Sequence, residues 1–143
     1  MTNLQPLTAL LAQSERQRDL ALADQMKAQT ASDSAQAQAE QLVAYRREYE
    51  QRWSAQFCKE GRIELVRCYQ GFMERLTQAV DGQLGAARHA AAQLERASAT
   101  VRERETQVAA VKKLLERRCA EGRAAAERDD QKQNDELAAR IAW

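Results

Sequence analysis

The pattern of apolar and polar positions has one dominant period. From Leu65, alternating steps of four and three pass through Tyr69, Phe72, Leu76, Ala79, Gln83, Ala86 and Ala90. After one slip the walk resumes at Leu94, Ala97, Val101, Arg104, Val108, Val111 and Leu115. A 3.5-residue repeat held over about seven heptads is the signature of a helix that presents one narrow seam to a partner. No period-two alternation competes with it. The first half of the chain carries a weaker version, from Leu7 through Leu11, Ser14, Arg18, Ala21, Gln25, Ala28, Ser32, Ala35, Ala39, Leu42, Arg46 and Tyr49 to Trp53. Arg18, Gln25 and Arg46 fall where apolar residues are expected, so their stems must lie along the seam with their heads in water. A neighbouring row of Leu20, Leu22, Met26 and Val43 is expected to broaden the apolar face.

These patterns predict an all-α chain: a long antiparallel two-helix coiled-coil hairpin, in a single domain of 143 residues. Helix 1 is expected over about 7–53, on the order of 70 Å at 1.5 Å per residue. A loop is expected over about 54–64, and helix 2 over about 65–140. Pro6 suits a first helical turn, where its missing N–H is not needed, and Met1 to Gln5 are expected to fray. Gly61 supplies the turn preference. The alternative is one unbroken helix per chain, paired in a dimer. The hairpin is favoured by two segments that agree on register. If opposed residue numbers add to roughly 120, the Ala/Ser-rich 28–39 faces the Gly/Ala-rich 81–92. Leu42, Tyr45 and Tyr49 then face Phe72, Leu76 and Ala79. In this reading Gly82 and Gly85 serve close approach of the helices, Gly122 marks a hinge, and the firmest packing lies near the loop. Leu4 pairs with about Glu116. Residues 117–143 then project unpartnered, with only Leu137, Ile141 and Trp143 large and apolar.

Composition agrees with a long helical pair. Aromatic residues make up 5% and charged residues 30%, with one proline. A formal net charge of +1 leaves no field to draw in nucleic acid or an anionic membrane. The stretch 102–123 is basic, with seven cations, but four interleaved acids would repel phosphates. No apolar run reaches the length of a membrane span, and the short run after Pro6 is a poor signal peptide, so a cytoplasmic location is expected. Cys58, Cys68 and Cys119 lack metal-ligand spacing and are expected as reduced thiols. Cys58 and Cys68 flank the turn, so oxidising buffer could join them.

No phosphate loop, paired-cysteine motif or nucleophile elbow is present, and no catalytic, cofactor or metal residue is called for. The single histidine, His89, falls on the solvent side of helix 2. The sharper feature is the aromatic group Tyr45, Tyr49, Trp53, Tyr69 and Phe72 at the loop end. A two-helix seam cannot hide all of it together with Leu42 and Leu76, and an exposed apolar patch marks a partner site.

At these residues the chain resembles the FliJ family of the bacterial flagellar type III export apparatus. The likeness includes Tyr45-Arg46-Arg47-Glu48-Tyr49, Tyr69-Gln70-Gly71-Phe72 and Asp130-Gln131-Lys132-Gln133-Asn134-Asp135-Glu136-Leu137, in that order and spacing. The resemblance implies an antiparallel coiled coil similar to the gamma-subunit shaft of rotary ATPases, not an enzyme. Its termini would enter the pore of the hexameric export ATPase and promote assembly and activity. It would also contact the cytoplasmic domain of the export gate protein FlhA, and bind export chaperones. Nucleic acid, small-molecule substrates and membrane insertion are not implied. The gate-contacting surface carries over to Gln38, Leu42, Tyr45, Tyr49, Phe72, Leu76 and Ala79. It extends to Gln83, where the family pattern places another polar side chain such as His. The ATPase-facing end falls on Leu7, Leu11, Arg16 and Arg18 with Arg117, Arg118 and Arg123. The competing readings are a generic coiled-coil adaptor and the corresponding stalk of a virulence-type secretion system.

Overall fold

The structure, a computed structural model, describes residues 3–142, so Met1, Thr2 and the expected apolar Trp143 lie outside the described residues. The chain forms two α-helices and, among the described residues, no strand. Helix α1 spans Gln5–Lys59 and α2 spans Ile63–Ile141. They pack against each other as an all-α helical hairpin. By spatial contact the chain falls into two compact units, Met1–Leu22 with Thr100–Trp143, and Ala23–Ala99.

Helix α1 starts where the chain offers a cap. The Asn3 side-chain oxygen accepts the Gln5 N–H at 3.1 Å, and the Leu4 carbonyl accepts the Thr8 N–H at 2.9 Å. Such capping answers donors that the first turn leaves open. Helix order therefore reaches Gln5, within the stretch expected to fray. The turn between the helices is shorter than the expected loop, only residues 60–62. Residues 54–58 contain no Gly or Pro, so nothing stops α1 there, and the Glu60 N–H still donates to the Gln56 carbonyl at 2.8 Å. Lys59 in the last turn of α1 and Glu64 in the first turn of α2 each sit at the favourable end of a helix dipole. Gly61 takes no positive φ, and a Cβ there would meet only the Phe57 carbonyl at an ordinary 3.7 Å. The turn therefore does not draw on glycine's left-handed freedom.

In the unit Ala23–Ala99, Gln25 donates to Ser98 at 3.1 Å and Gln83 to Gln38 at 3.0 Å, and the Tyr49 and Phe72 rings lie 4.4 Å apart. Opposed residue numbers here add to 121–123. The best-buried side chains are Ala39, Leu76 and Val80, with Val80 at 0% exposure. None belongs to the aromatic end, where Tyr49, Trp53, Phe57, Tyr69 and Phe72 are all only half-buried. The lowest fractional exposures thus lie away from the turn, while the ring contacts across the helices lie near it.

The α1 seam follows the expected walk, with every position from Leu7 to Trp53 buried or half-buried. On α2 the slip lies elsewhere. Buried and half-buried positions run Leu65, Tyr69, Phe72, Leu76, Val80, Gln83, Ala87 and Ala90, then Leu94 onward in unbroken order. Val80 and Ala87 replace the expected Ala79 and Ala86, which are exposed. Two steps of four in succession across Phe72, Leu76 and Val80 make an eleven-residue period, a stutter that locally unwinds the repeat. It admits the larger Val80 to the seam. The broader face expected on α1 forms only in part: Leu22 and Val43 are half-buried, while Leu20 and Met26 are 68% and 72% exposed. One partner helix offers one seam, and residues further from it stay in water. Nor do the glycines mark close approach. A Cβ at Gly82 would meet nothing within 4 Å, and one at Gly85 only the Arg88 guanidinium at 3.9 Å.

In the other unit, Ala21, Val101 and Val108 are buried, with Ser14 among them. Arg104 occupies a seam position and donates to Gln17 at 3.4 Å and to Gln107 at 3.1 Å. Its charge is thus held among polar partners at the edge of the seam. Pairing extends further than expected. Leu4 lines a groove with Arg118, Cys119 and Gly122, and only from residue 123 onward is α2 exposed on every side. The overhang is therefore 123–142 rather than 117–143. Gly122 interrupts no helical structure, since α2 is continuous through it.

Candidate partner-binding surfaces

The residues matched to a gate-contacting surface all fall in the unit Ala23–Ala99, and several of them meet there. Spacing of i, i+4 along α1 stacks Tyr45, Tyr49, Trp53 and Phe57 into a ladder, with neighbouring ring centroids 5.9, 5.9 and 5.4 Å apart. From α2, Phe72 reaches Tyr49 at 4.4 Å, while Tyr69 lies 5.8 Å from Trp53 and 5.2 Å edge-on to Phe57. Such tilted and edge-on pairs contribute about 0.5–1.5 kcal/mol each beyond simple burial. Phe57 was missing from the expected group. The i+4 step from Trp53 finds it, and only the expected end of helix 1 at residue 53 hid it.

The members of this surface differ in what they can offer. Tyr45 is 46% exposed and leads the ladder into solvent. Leu42, Tyr49 and Phe72 are half-buried, so each presents an edge. Gln38 and Gln83 are joined across the helices, which fixes both amides and leaves further donor and acceptor capacity outward. Leu76 is buried in the seam, with 8% of its surface exposed. Ala79, displaced from the seam by Val80, lies on the exposed flank.

The second set lies in the unit Met1–Leu22 with Thr100–Trp143. Leu7 and Leu11 are half-buried seam residues. Arg18 forms an ion pair with Asp19 at 3.1 Å, while Arg16 and Arg117 are exposed. Arg118 and Arg123 come together with Leu4, Ala125 and Asp129 around one groove where pairing ends. Beyond it the overhang shows Leu137 and Ile141 largely to solvent. A lone helix of this polarity gains little from its own propensity and draws most of its order from whatever packs on it.

Other chemistry is sparse. His89 is exposed and lies 3.4 Å from the Gln93 amide. The three cysteines are free thiols. Among the described residues no three His, Cys, Asp or Glu side chains gather as metal ligands would. No helix there is long and apolar enough to cross a membrane.

Comparison with known proteins identifies a family. The family described as flagellar FliJ protein matches residues 3–143, nearly the whole chain. No curated protein and no solved structure matches it.

Proposed function

Because the chain belongs to the FliJ family, and so is a component of the flagellar export apparatus, we propose that it works as the stalk of that apparatus and not as an enzyme. In this reading the end bearing the overhang binds the hexameric export ATPase and favours its assembled, active state. The aromatic end contacts the export gate protein FlhA, and the same protein receives export chaperones. Its place is then the cytoplasmic face of the membrane, reached through the apparatus.

The observation that carries this reading is the inequality of the two helices. Helix α2 has 79 residues against 55 in α1, and residues 123–142 are exposed on all sides. A helix that outruns its partner in this way suits insertion into a receptor that supplies the missing contacts. The mechanism follows from linkage. A stalk that binds the assembled ring better than free subunits shifts assembly by its differential affinity, and unequal contacts around the ring bias its subunits.

The experiment is the ATP hydrolysis rate of the cognate export ATPase with the full chain and with a chain ended after Gly122. Stimulation that disappears on truncation supports a stalk acting through its overhang. Equal stimulation by both places the activity elsewhere, and none by either removes the ATPase role.

A further inference from the structure

The aromatic surface uses one flank of the unit Ala23–Ala99. Gln38, Tyr45 and Ala79 each precede a seam residue, namely Ala39, Arg46 and Val80. At about 100° per residue, the positions that follow the seam face the other way. There Glu40 and Ala44 of α1 meet Leu84 and Arg88 of α2 along a second groove. Its less exposed lining is Ala39, Val43, Leu84 and Ala87, all small or apolar, with one buried hydroxyl, that of Ser32, at the far end. From Ser32 to Arg47 it runs about 22 Å at 1.5 Å per residue. A floor of this smoothness lets a third helix approach to the usual spacing of about 8–10 Å.

The rim of the groove carries a charge pattern. By the register of the pair, Arg88 lies level with about residue 34 of α1, and Arg47 lies about 20 Å further along. Neither guanidinium has an ion-pair partner among the described residues. Between them Glu40 receives only a 3.4 Å bond from the Gln36 amide. Among the side chains that line the groove the charges therefore read positive, negative, positive, and neither cation is paired.

We propose that this flank seats an amphipathic helix of a partner protein, one with an acidic residue toward each end about 20 Å apart and a basic residue between. The apolar stripe of that helix covers Val43 and Leu84, and its charges answer Arg47, Glu40 and Arg88. The seat lies on the flank opposite Gln38 and Tyr45, so it is open whether or not the aromatic flank is occupied. Charge pairs at such a rim set register and choice of partner more than raw affinity.

The test uses two fluorescent synthetic helices of sixteen residues with the same Leu/Ala stripe. One carries Glu at both ends and Lys in the middle, and the other has these charges inverted. Anisotropy titration with the full chain is expected to favour the first by at least tenfold. Arg47→Glu with Arg88→Glu should reverse that preference, with helical circular dichroism unchanged because both side chains are exposed. Tyr45→Ala, on the other flank, should leave the titration as it was. Equal binding of the two helices, no binding of either, or loss of binding in Tyr45→Ala would each overturn the proposal. So would a self-association of the chain, seen by sedimentation, that the double arginine reversal abolishes, since the occupant would then be a second copy.

Discussion

Residues 79 and 80 decide where the α2 repeat breaks, and exchanging them tests it without changing composition. In the structure Val80 is fully buried and Ala79 exposed. Val80→Ala removes two carbon groups at about 0.8 kcal/mol each and leaves part of a cavity, for a gross loss of about 2 kcal/mol. The better helix propensity of Ala returns about 0.5 kcal/mol. Ala79→Val places a β-branched residue in water and costs about 0.5 kcal/mol in propensity. The combined A79V/V80A chain should therefore be less stable by about 2 kcal/mol. For a chain of 143 residues that lowers the midpoint of thermal unfolding by roughly 7 °C. Circular dichroism at 222 nm during heating, paired with a urea titration, reads the change. An unbroken heptad through Ala79 makes the opposite demand, because the exchange would then move valine into the seam. A swapped chain as stable as the parent, or more so, would refute the stutter at Leu76 and Val80.

Gly71→Ala and Gly82→Ala should each raise stability by about 1 kcal/mol, because an added Cβ meets nothing within 4 Å at either site and helix propensity is all that changes. A loss at Gly82 in urea denaturation would restore close helix approach as its reason. A chain ended after Gly122 should unfold within about 0.5 kcal/mol of the full chain, since residues 123–142 are all exposed and only the first few of them line the groove beside Leu4; a larger loss would mean that the overhang folds back. Tyr45→Ala should cost less than 1 kcal/mol yet weaken the proposed contact with FlhA in a pull-down titration. Tyr49→Ala, which strips a ring 4.4 Å from Phe72, should cost about 2 kcal/mol. Equal effects of the two on both readouts would mean that packing alone explains the cluster.

The limits of the sequence reading follow from particular residues. The α1 seam was legible because its four-three walk never breaks, so even Ser14, Ser32 and Arg18 fell into place by spacing. The α2 break was not, because alanines flank the seam on both sides between Ala79 and Ala92 and the hydrophobic pattern there is nearly flat. Only the bulk of Val80 distinguishes the two registers. Leu20 and Met26 misled for the converse reason. They are large and apolar, but a single partner helix gives them nothing to pack on. The turn ran shorter than expected since 54–58 has no helix breaker, and that also concealed Phe57. The start of the overhang moved by about six residues. Part of that shift came from a register two units off, and the rest from Leu4 reaching a full turn further along α2. The two proposed contact sets rest on family resemblance. Geometry adds how exposed each of their residues is, from Leu76 in the seam to Tyr45 in solvent.

The shallow core has a consequence for how such a protein can hold its partners. Among the described residues only six apolar side chains are buried, while the five aromatics that meet across the seam remain half-buried. Burying a large side chain completely is worth about 1.5–3 kcal/mol, so covering the remaining half of five rings gains on the order of 5 kcal/mol. Association itself costs at least about 4 kcal/mol before any loop or side chain is ordered. The aromatic flank alone therefore supports a weak contact that is quickly reversed. Tight engagement requires a second contact on the same chain, which turns the first into an intramolecular event at high effective concentration. The overhang supplies one in the proposed stalk, with nothing of its own to unpack before it binds. If the chain works as the proposed stalk, holding an ATPase while touching and releasing a gate, this division would give it a lasting contact through the overhang and a transient one through the aromatic flank.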